Sequence, residues 1–386
     1  MPDTRVPAER LVAILSDLIA IPSPYPPSDT VRISGYAADF LRRAGYTVEV
    51  VANAPGVDNV VARLGSGKPC IAFNAHVDTV GVGERANWHT DPFTPVVKDG
   101  QVFGLGAGNC KGSMAVQLWL AEEIVRRGGP GKGEVIFTFV GDEENLGPEG
   151  MAYLRSSGKV RPDALILGAQ TSNQLIVAER GVMWARIVTY GKAAHAGAPH
   201  NGDNAIMRMV RIVNHLDHAL APLLDKRVEG AMRSTVNIGM FHGGHNTNVV
   251  PSLCTVEIDR RLLPGETVTQ AFEELVALAA QAGEPPDTYK IEFLTGTNGF
   301  NAKANGAVVA ALQAEIARVL GKPAQFLNAT GVSDGRYYAD DNIEIINFGP
   351  GSGAQGHAAN ESVPIAEMVQ AAEIQLGLVR RLLAVG

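Results

Sequence analysis

Five short segments of this 386-residue chain gather the residue types that hold cations and move protons. They are AHVDTV around His76, GAGNCKGS around Asn109, GDEENLG around Glu143 and Glu144, LGAQTS around Ala169, and GAQGHAANE around His357. Imidazole and carboxylate are the ligands that zinc-type divalent ions favour, and two such ions held close together need a bridging carboxylate to offset their charge. The series 76, 109, 144, 169 and 357 would supply five positions of that kind, leaving Glu143 to carry a proton. Two of the five are blanks: Asn109 is a neutral amide and Ala169 has no ligand atom. The pattern therefore predicts at most one tightly held divalent metal per chain, zinc by ligand type, with no metal at all as the limiting case.

Each of these residues also has a plainer reading. His76 ends a continuous apolar run, and Asp78 just beyond it is the expected partner for its imidazole. Glu143 and Glu144 follow directly on EVIFTFVGD, which favours a cleft over a solvated loop. His89, His200, His215, His218, His242 and His245 lack such a context and read as structural. Cys110, beside Asn109, could be a reactive thiol, but a free cysteine more often packs as a small apolar residue.

The elements that must position these residues are legible from periodicity. Helical spacing over residues 8 to 20 and 34 to 44 gives way to β-rich runs at YTVEVV, NVVARL and CIAFNAHVDTV, followed by the helix GSMAVQLWLAEEIVRR and the buried strand EVIFTFV. Strands alternating with helices predict an α/β sheet with side chains delivered at strand ends. From about Gly181 the order becomes strand WARIVTYG, a helix over 203 to 218, strands TVNIGMF and CTVEIDRRL, helix TVTQAFEELVALAAQA and strand YKIEFL, which fits a small inserted α+β domain. The helix AVVAALQAEIARVLG, the strand IEIINFG and the closing helix EMVQAAEIQLGLVRRLLAV then return to the first pattern. The predicted architecture is a two-domain α/β scaffold of metallopeptidase type, a mixed sheet flanked by helices (residues 1–180 and 297–386) plus the inserted domain at 181–296.

A net charge of −7, with Lys and Arg scattered, argues against a nucleic-acid or anionic-membrane surface. No apolar run approaches a membrane span, and the amphipathic first residues do not read as a signal peptide. Three widely spaced cysteines, Cys70, Cys110 and Cys254, suit reduced thiols in the cytoplasm.

Taken with the stretches WHTDPFTPVVKDGQVFGLGAGNCKGSMA, AHAGAPHNGDNAI, NVVPSLCTVEIDRRLLPGE, SDGRYYA and FGPGSGAQGHAANE, the chain resembles the zinc-dependent aminoacylase and carboxypeptidase superfamily that includes acetylornithine deacetylase and succinyl-diaminopimelate desuccinylase. The resemblance spans nearly the whole chain. It implies that His76 binds one metal, that Glu144 and His357 bind the other, that residue 109 bridges them, that residue 169 completes the first site and that Glu143 is the general base. It further implies that the inserted domain mediates homodimerisation and closes over the site, with His195 polarising the substrate carbonyl across the dimer. Asn248 and Arg261 would hold a substrate carboxylate, and Arg180, the SDGR turn from Ser333 and the loop ending at Gly351 would form the pocket wall. Arg261 is the best physical candidate, because a guanidinium fork fits a carboxylate bidentately.

Val332 stands before the SDGR turn where the desuccinylase pattern has a hydroxyl residue, so that substrate is not carried over. The expected function is a metal-dependent amidohydrolase acting on an N-acyl amino acid or small peptide-like amide through a reduced, single-metal site. The alternatives are a repurposed enzyme doing acid–base, condensation or acyl-transfer chemistry without hydrolytic metal, and a non-catalytic ligand-binding homologue. Retention of Glu143, His195, Asn248 and Arg261 together favours chemistry.

Overall fold

The computed structural model describes residues 6–25, 29–230, 232–301, 305–329 and 331–386. The chain divides into two compact units: Met1–Val177, Ala302–Leu327 and Ser333–Gly386 form the first, and Ala178–Asn301 with Asn328–Val332 form the second. The short return segment Asn328–Val332 thus joins the second unit, although its sequence carries no feature that separates it from the first.

The first unit begins with α1 (Ala8–Ile19), whose Leu11, Ile14, Leu15, Leu18 and Ile19 are buried at the spacing of one helical face. Next comes α2 (Val31–Ala44), stopped by Gly45 at φ 105° in the left-handed conformation that glycine adopts without strain. The strands β1 (Thr47–Ala54), β2 (Val57–Ser66) and β3 (Cys70–His76) follow. Every residue of β3 is buried, as expected of a central strand covered on both faces. The helix α3 (Gly112–Arg126), the strand β4 (Gly133–Val140) and the short strand β5 (Ala164–Leu167) complete this stretch.

The second unit runs β6 (Gly181–Tyr190), α4 (Ala205–Ala219), β7 (Thr235–Gly243), β8 (Leu253–Leu262), α5 (Val268–Ala280) and β9 (Tyr289–Thr297). Its sheet has the order β7-β8-β6-β9, antiparallel throughout, and α5 opens with a capping box between Thr267 and Gln270. The chain then returns to the first unit with α6 (Ala307–Leu320), β10 (Glu344–Asn347) and α7 (Ile365–Leu383).

The first unit's sheet has the order β10-β5-β3-β4-β2-β1. Its first four strands are parallel, whereas β2 and β1 are antiparallel to their neighbours. Phe73 and Phe137 face each other across β3 and β4 and stack at 5.3 Å, inside a core shared with α1, α3 and α7. A further small sheet joins Val96–Lys98, Gln101–Phe103 and Ser362–Pro364; strands of three residues carry too little periodicity to be read in advance. Among the described residues no helix is long and apolar enough to cross a membrane.

Candidate active site

Parallel strands open their carboxyl ends on the same edge of a sheet, and such edges collect reactive side chains. His76 closes β3 and pairs in register with Val140, the last residue of β4. Glu143 and Glu144 follow β4 at once, while on the opposite flank of β3 the chain leaves β5 through Gly168 and Ala169. His357 reaches the same edge from a loop, and Asn109 from the kinked helical turn Ala107–Lys111 that leads into α3.

The Asn109 side chain joins the group together. Its Oδ1 lies 3.2 Å from His76 Nε2, and its Nδ2 donates to Glu144 Oε1 at 2.8 Å and lies 3.3 Å from His357 Nε2. His357 Nε2 is itself 3.1 Å from Glu144 Oε1. The amide therefore stands between the two halves of the predicted metal pair, the place assigned to a bridge. Its backbone is held by Glu361, whose carboxylate accepts the N–H groups of Gly106, Gly108 and Asn109 at 2.8, 3.0 and 2.6 Å. Nothing in the spacing of HAANE betrays that grip.

The partner of the His76 imidazole is Asp78 through its backbone: Nδ1 lies 2.9 Å from the Asp78 carbonyl oxygen and 3.5 Å from the carboxylate. The expected carboxylate contact is thus the longer of the two, because Asp78 Oδ2 accepts the backbone N–H of Glu144 at 3.0 Å. Asp78 ties the end of β3 to the loop after β4. Burial opposes a charged imidazole at His76, yet the groups around it, Cys110, Glu143 and Asp78, outweigh that and hold its pKa well above the ordinary histidine value. Burial also pushes the Cys110 thiol up to about 11. That thiol donates to the Gly168 carbonyl and is completely buried, which removes it from the reactive candidates.

Glu143 has a partner that sequence reasoning missed. Arg336, only 4% exposed, donates from Nη1 to Glu143 Oε1 at 3.3 Å, lies 4.0 Å from Asp334 and stacks over the Tyr337 ring at 4.4 Å. Asp334 accepts from Asn74 Nδ2 and Thr138 donates to Asn74 Oδ1, so a buried polar chain runs from inside the sheet to Glu143. Burial raises Glu143 to about 8 even though His76 and Arg336 pull it down. The SDGR turn signals a loop, and only the fold shows that its arginine turns inward.

The β5 side is bare. Ala169 offers a methyl group, and the next side chain, Gln170, leans on the loop of Asn109: a Cβ at Gly108 would lie 2.0 Å from Gln170 Nε2. That nitrogen is buried without a hydrogen-bond partner. Gly351 packs beside Gln170 and Gly108 and donates its N–H to Glu367 at 2.8 Å, and the Ser333 hydroxyl accepts from Gly335 N–H within its own turn.

The second unit carries the other candidates. His195 is exposed, accepts the Gly197 N–H at Nδ1, and pairs as a β-bridge with Val249, beside Asn248 whose carbonyl accepts from Ala196. Along β8 burial alternates, so Arg260 and Arg261 point to opposite faces. Arg260 is buried and paired with Glu274, whereas Arg261, about a quarter exposed, is bonded from Nε to Asp259 at 2.9 Å. Burial and the nearby Arg261 hold Arg180 below its ordinary range, with Asp259 opposing them.

For a divalent ion, the donor chemistry of the first unit is decisive. Ligand atoms of His76, Glu143 and Glu144 all lie within 4.8 Å of one another, and His357 and the Asn109 amide oxygen add two more donors. With Glu143 kept for proton transfer, Glu144 is the only carboxylate left in the set. That set holds the donor types a divalent ion takes, one carboxylate and one neutral amide among them.

The comparisons with known proteins agree with this architecture. The family model described as "Peptidase family M20/M25/M40" matches residues 72–381, and the chain belongs to that family. It is 29% identical over 374 residues to the succinyl-diaminopimelate desuccinylase of Bordetella parapertussis, covering 94% of this chain and 95% of the relative. Among solved structures, a tripeptidase from Staphylococcus aureus is 25% identical with a TM-score of 0.79, covering 98% of this chain and 99% of its own. An M20 family metallo-carboxypeptidase, Sso-CP2 from Sulfolobus solfataricus, superimposes with a TM-score of 0.82 at 17% identity, over 96% and 98% of the two chains; at that identity the likeness concerns the fold.

Proposed function

We infer that this chain is an amidohydrolase that cleaves an N-acyl amino acid or a small peptide-like amide bearing a carboxylate, using a reduced site that holds one divalent metal, zinc by ligand type. The observation that carries the reading is the Asn109 amide in simultaneous contact with His76, Glu144 and His357. The hydrolytic constellation is kept around it, while the charge needed for a second ion is gone. Glu144, His357 and the Asn109 amide oxygen would hold the ion, which supplies polarisation of the scissile carbonyl and of water.

Glu143 is the proton carrier. Its carboxyl group is almost enclosed and fixed by Arg336 at 3.3 Å; in its ionised form, which burial confines to pH above about 8, it takes a proton from water and returns it to the leaving amine. Arg261 and Arg180 grip the substrate carboxylate, with Asn248 beside them, and His195 donates to the carbonyl oxygen as negative charge develops there. The second unit is the dimerisation and lid domain, and a homodimer in the cytoplasm is the working form. No nucleic acid or membrane takes part.

One observation favours the non-hydrolytic alternative: Asn109, His76, Glu144 and His357 already satisfy one another's hydrogen bonds. Metal analysis of protein purified without chelator, paired with mass-spectrometric turnover of acyl-amino acids, separates the readings. About one equivalent of metal with hydrolysis supports the inference; metal-free protein that leaves every acyl-amino acid intact overturns it.

A further inference from the structure

The segment 357–361 touches Asn109 at both of its ends. At its front, His357 Nε2 lies 3.3 Å from the Asn109 side-chain nitrogen. At its back, the Glu361 carboxylate accepts the backbone N–H of Asn109 at 2.6 Å, together with those of Gly108 at 3.0 Å and Gly106 at 2.8 Å. Side chain and main chain of one residue are thus tied to the two ends of one short stretch. We propose that Glu361 is a positioning residue: by holding the turn of Asn109 against the segment that carries His357, it sets where the Asn109 amide stands between His76, Glu144 and His357.

The turn needs such a hold. Within Ala107–Lys111 the backbone of Asn109 leaves helical geometry, at φ −116° and ψ 95°, and N–H groups at the start of a helix have no acceptor inside it. That end of α3 also favours negative charge. Glu361 meets both demands and is itself fixed. It is 2% exposed, its carbonyl accepts the Gly104 N–H at 3.0 Å, and the next residue, Ser362, pairs with Phe103 in the small sheet. The acceptor has to be a carboxylate. Oε2 takes one N–H and Oε1 takes two, so a glutamine, whichever way its amide is turned, would set an NH2 group against a donor.

Asn360 supplies the control. Its side chain ties the same segment elsewhere, donating from Nδ2 to the Asn87 carbonyl at 2.9 Å and accepting the His89 N–H at 2.7 Å. Its φ of 63° is one that glycine adopts freely, so Asn360→Gly loosens the segment without touching the turn of Asn109. Only the consequence for a metal rests on the hydrolase reading; the geometry is tested on metal-free protein. There, Glu361→Gln should speed hydrogen exchange at the Gly106, Gly108 and Asn109 amides by about tenfold or more, the scale of a hydrogen bond to a charged group. The amides of β3 and β4 should keep wild-type rates, and the side-chain NMR signals of the His76 and His357 imidazoles should shift. Cobalt titration followed by visible absorption should then show affinity lower by about 10- to 100-fold, the usual cost of losing a group that orients a ligand, with a changed band shape at saturation. Asn360→Gly should match wild type in each measurement.

Wild-type exchange at the three amides in Glu361→Gln overturns the proposal, because other contacts then hold the turn. Faster exchange with unmoved imidazole signals also overturns it, since Glu361 would support the backbone alone. So does an Asn360→Gly variant that moves those signals as far as Glu361→Gln, which places the effect in the segment and not in the carboxylate. If the signals shift as expected but wild type takes up no cobalt, or the variant takes it up equally well, the positioning role stands and Asn109 is removed from the metal reading. Should Glu361→Gln not fold, Glu361→Asp, whose carboxylate is drawn back from the turn, is read by the same measurements and the same outcomes.

Discussion

The two strands that flank β3 end very differently. The chain leaving β4 delivers Glu143 and Glu144, each held by more than one partner: Arg336 and the neighbouring His76 for the first, Asn109, His357 and the Asp78 carboxylate for the second. The chain leaving β5 delivers Gly168, Ala169 and a Gln170 whose amide nitrogen has found no partner. One backbone framework thus carries a charged, cross-linked half and an emptied half. The lesson is that the side chains at the strand tips can differ this much without disturbing the strands, because those strands are held by core packing.

The largest effect should come from refilling the empty half. Asn109→Asp with Ala169→Glu restores a bridging charge and a terminal ligand, and elemental analysis after dialysis should rise from about one to about two equivalents per chain. Even a micromolar second ion corresponds to about 8 kcal/mol of binding. A drifted amidohydrolase should also gain hydrolysis of simple N-acyl amino acids, whereas a repurposed one should bind metal and lose its native activity. Unchanged metal content would mean that residues 109 and 169 do not occupy paired ligand positions, and the contrast between the halves would lose its basis.

On the charged side, Glu143→Gln should lower turnover by about 10²–10⁴, the usual share of a general base, while leaving substrate affinity within a few-fold. Steady-state kinetics and calorimetry check the two parts separately. Turnover equal to wild type would take Glu143 out of the chemistry. Arg336→Met tests what holds that carboxylate. Breaking a buried pair by removing one partner typically costs about 3–5 kcal/mol, so urea unfolding of the metal-free protein should show a loss of that order. A loss under about 1 kcal/mol would mean that Glu143 and Asp334 are sustained by other contacts.

These contrasts also mark what the sequence could disclose. The continuous apolar run of β3 ending in His76, the run of β4 ending in two glutamates and the helical spacing of α1, α6 and α7 are local patterns, and local patterns are legible. The position of Asn109 between His76 and Glu144 was legible through its motif, since GAGNCKGS carries the same turn whichever side chain it presents. Arg336 was not, because the SDGR turn was placed in the pocket wall by resemblance only, and nothing in its spacing shows which of its side chains reaches the loop after β4. Glu361 was not, because its three bonds go to backbone N–H groups some 250 residues away in sequence. Gln170 escaped notice for a third reason: what matters about it is a partner it lacks.

That last residue allows the gentlest test. A buried amide donor with no acceptor is a cost to the folded state, and replacing it by an apolar side chain of similar length removes the cost while keeping the packing against Gly108 and Gly351. Gln170→Met should therefore leave stability unchanged or raise it by up to about 1 kcal/mol, measured by urea unfolding, where an equivalent exchange at Arg336 is severely destabilising. Metal content should stay at its wild-type value, since Gln170 is not among the proposed ligands. A clear loss of stability would show that the Gln170 amide has a partner after all, a bound water or a substrate-like ligand, and the β5 side would then have to be counted as a working part of the site.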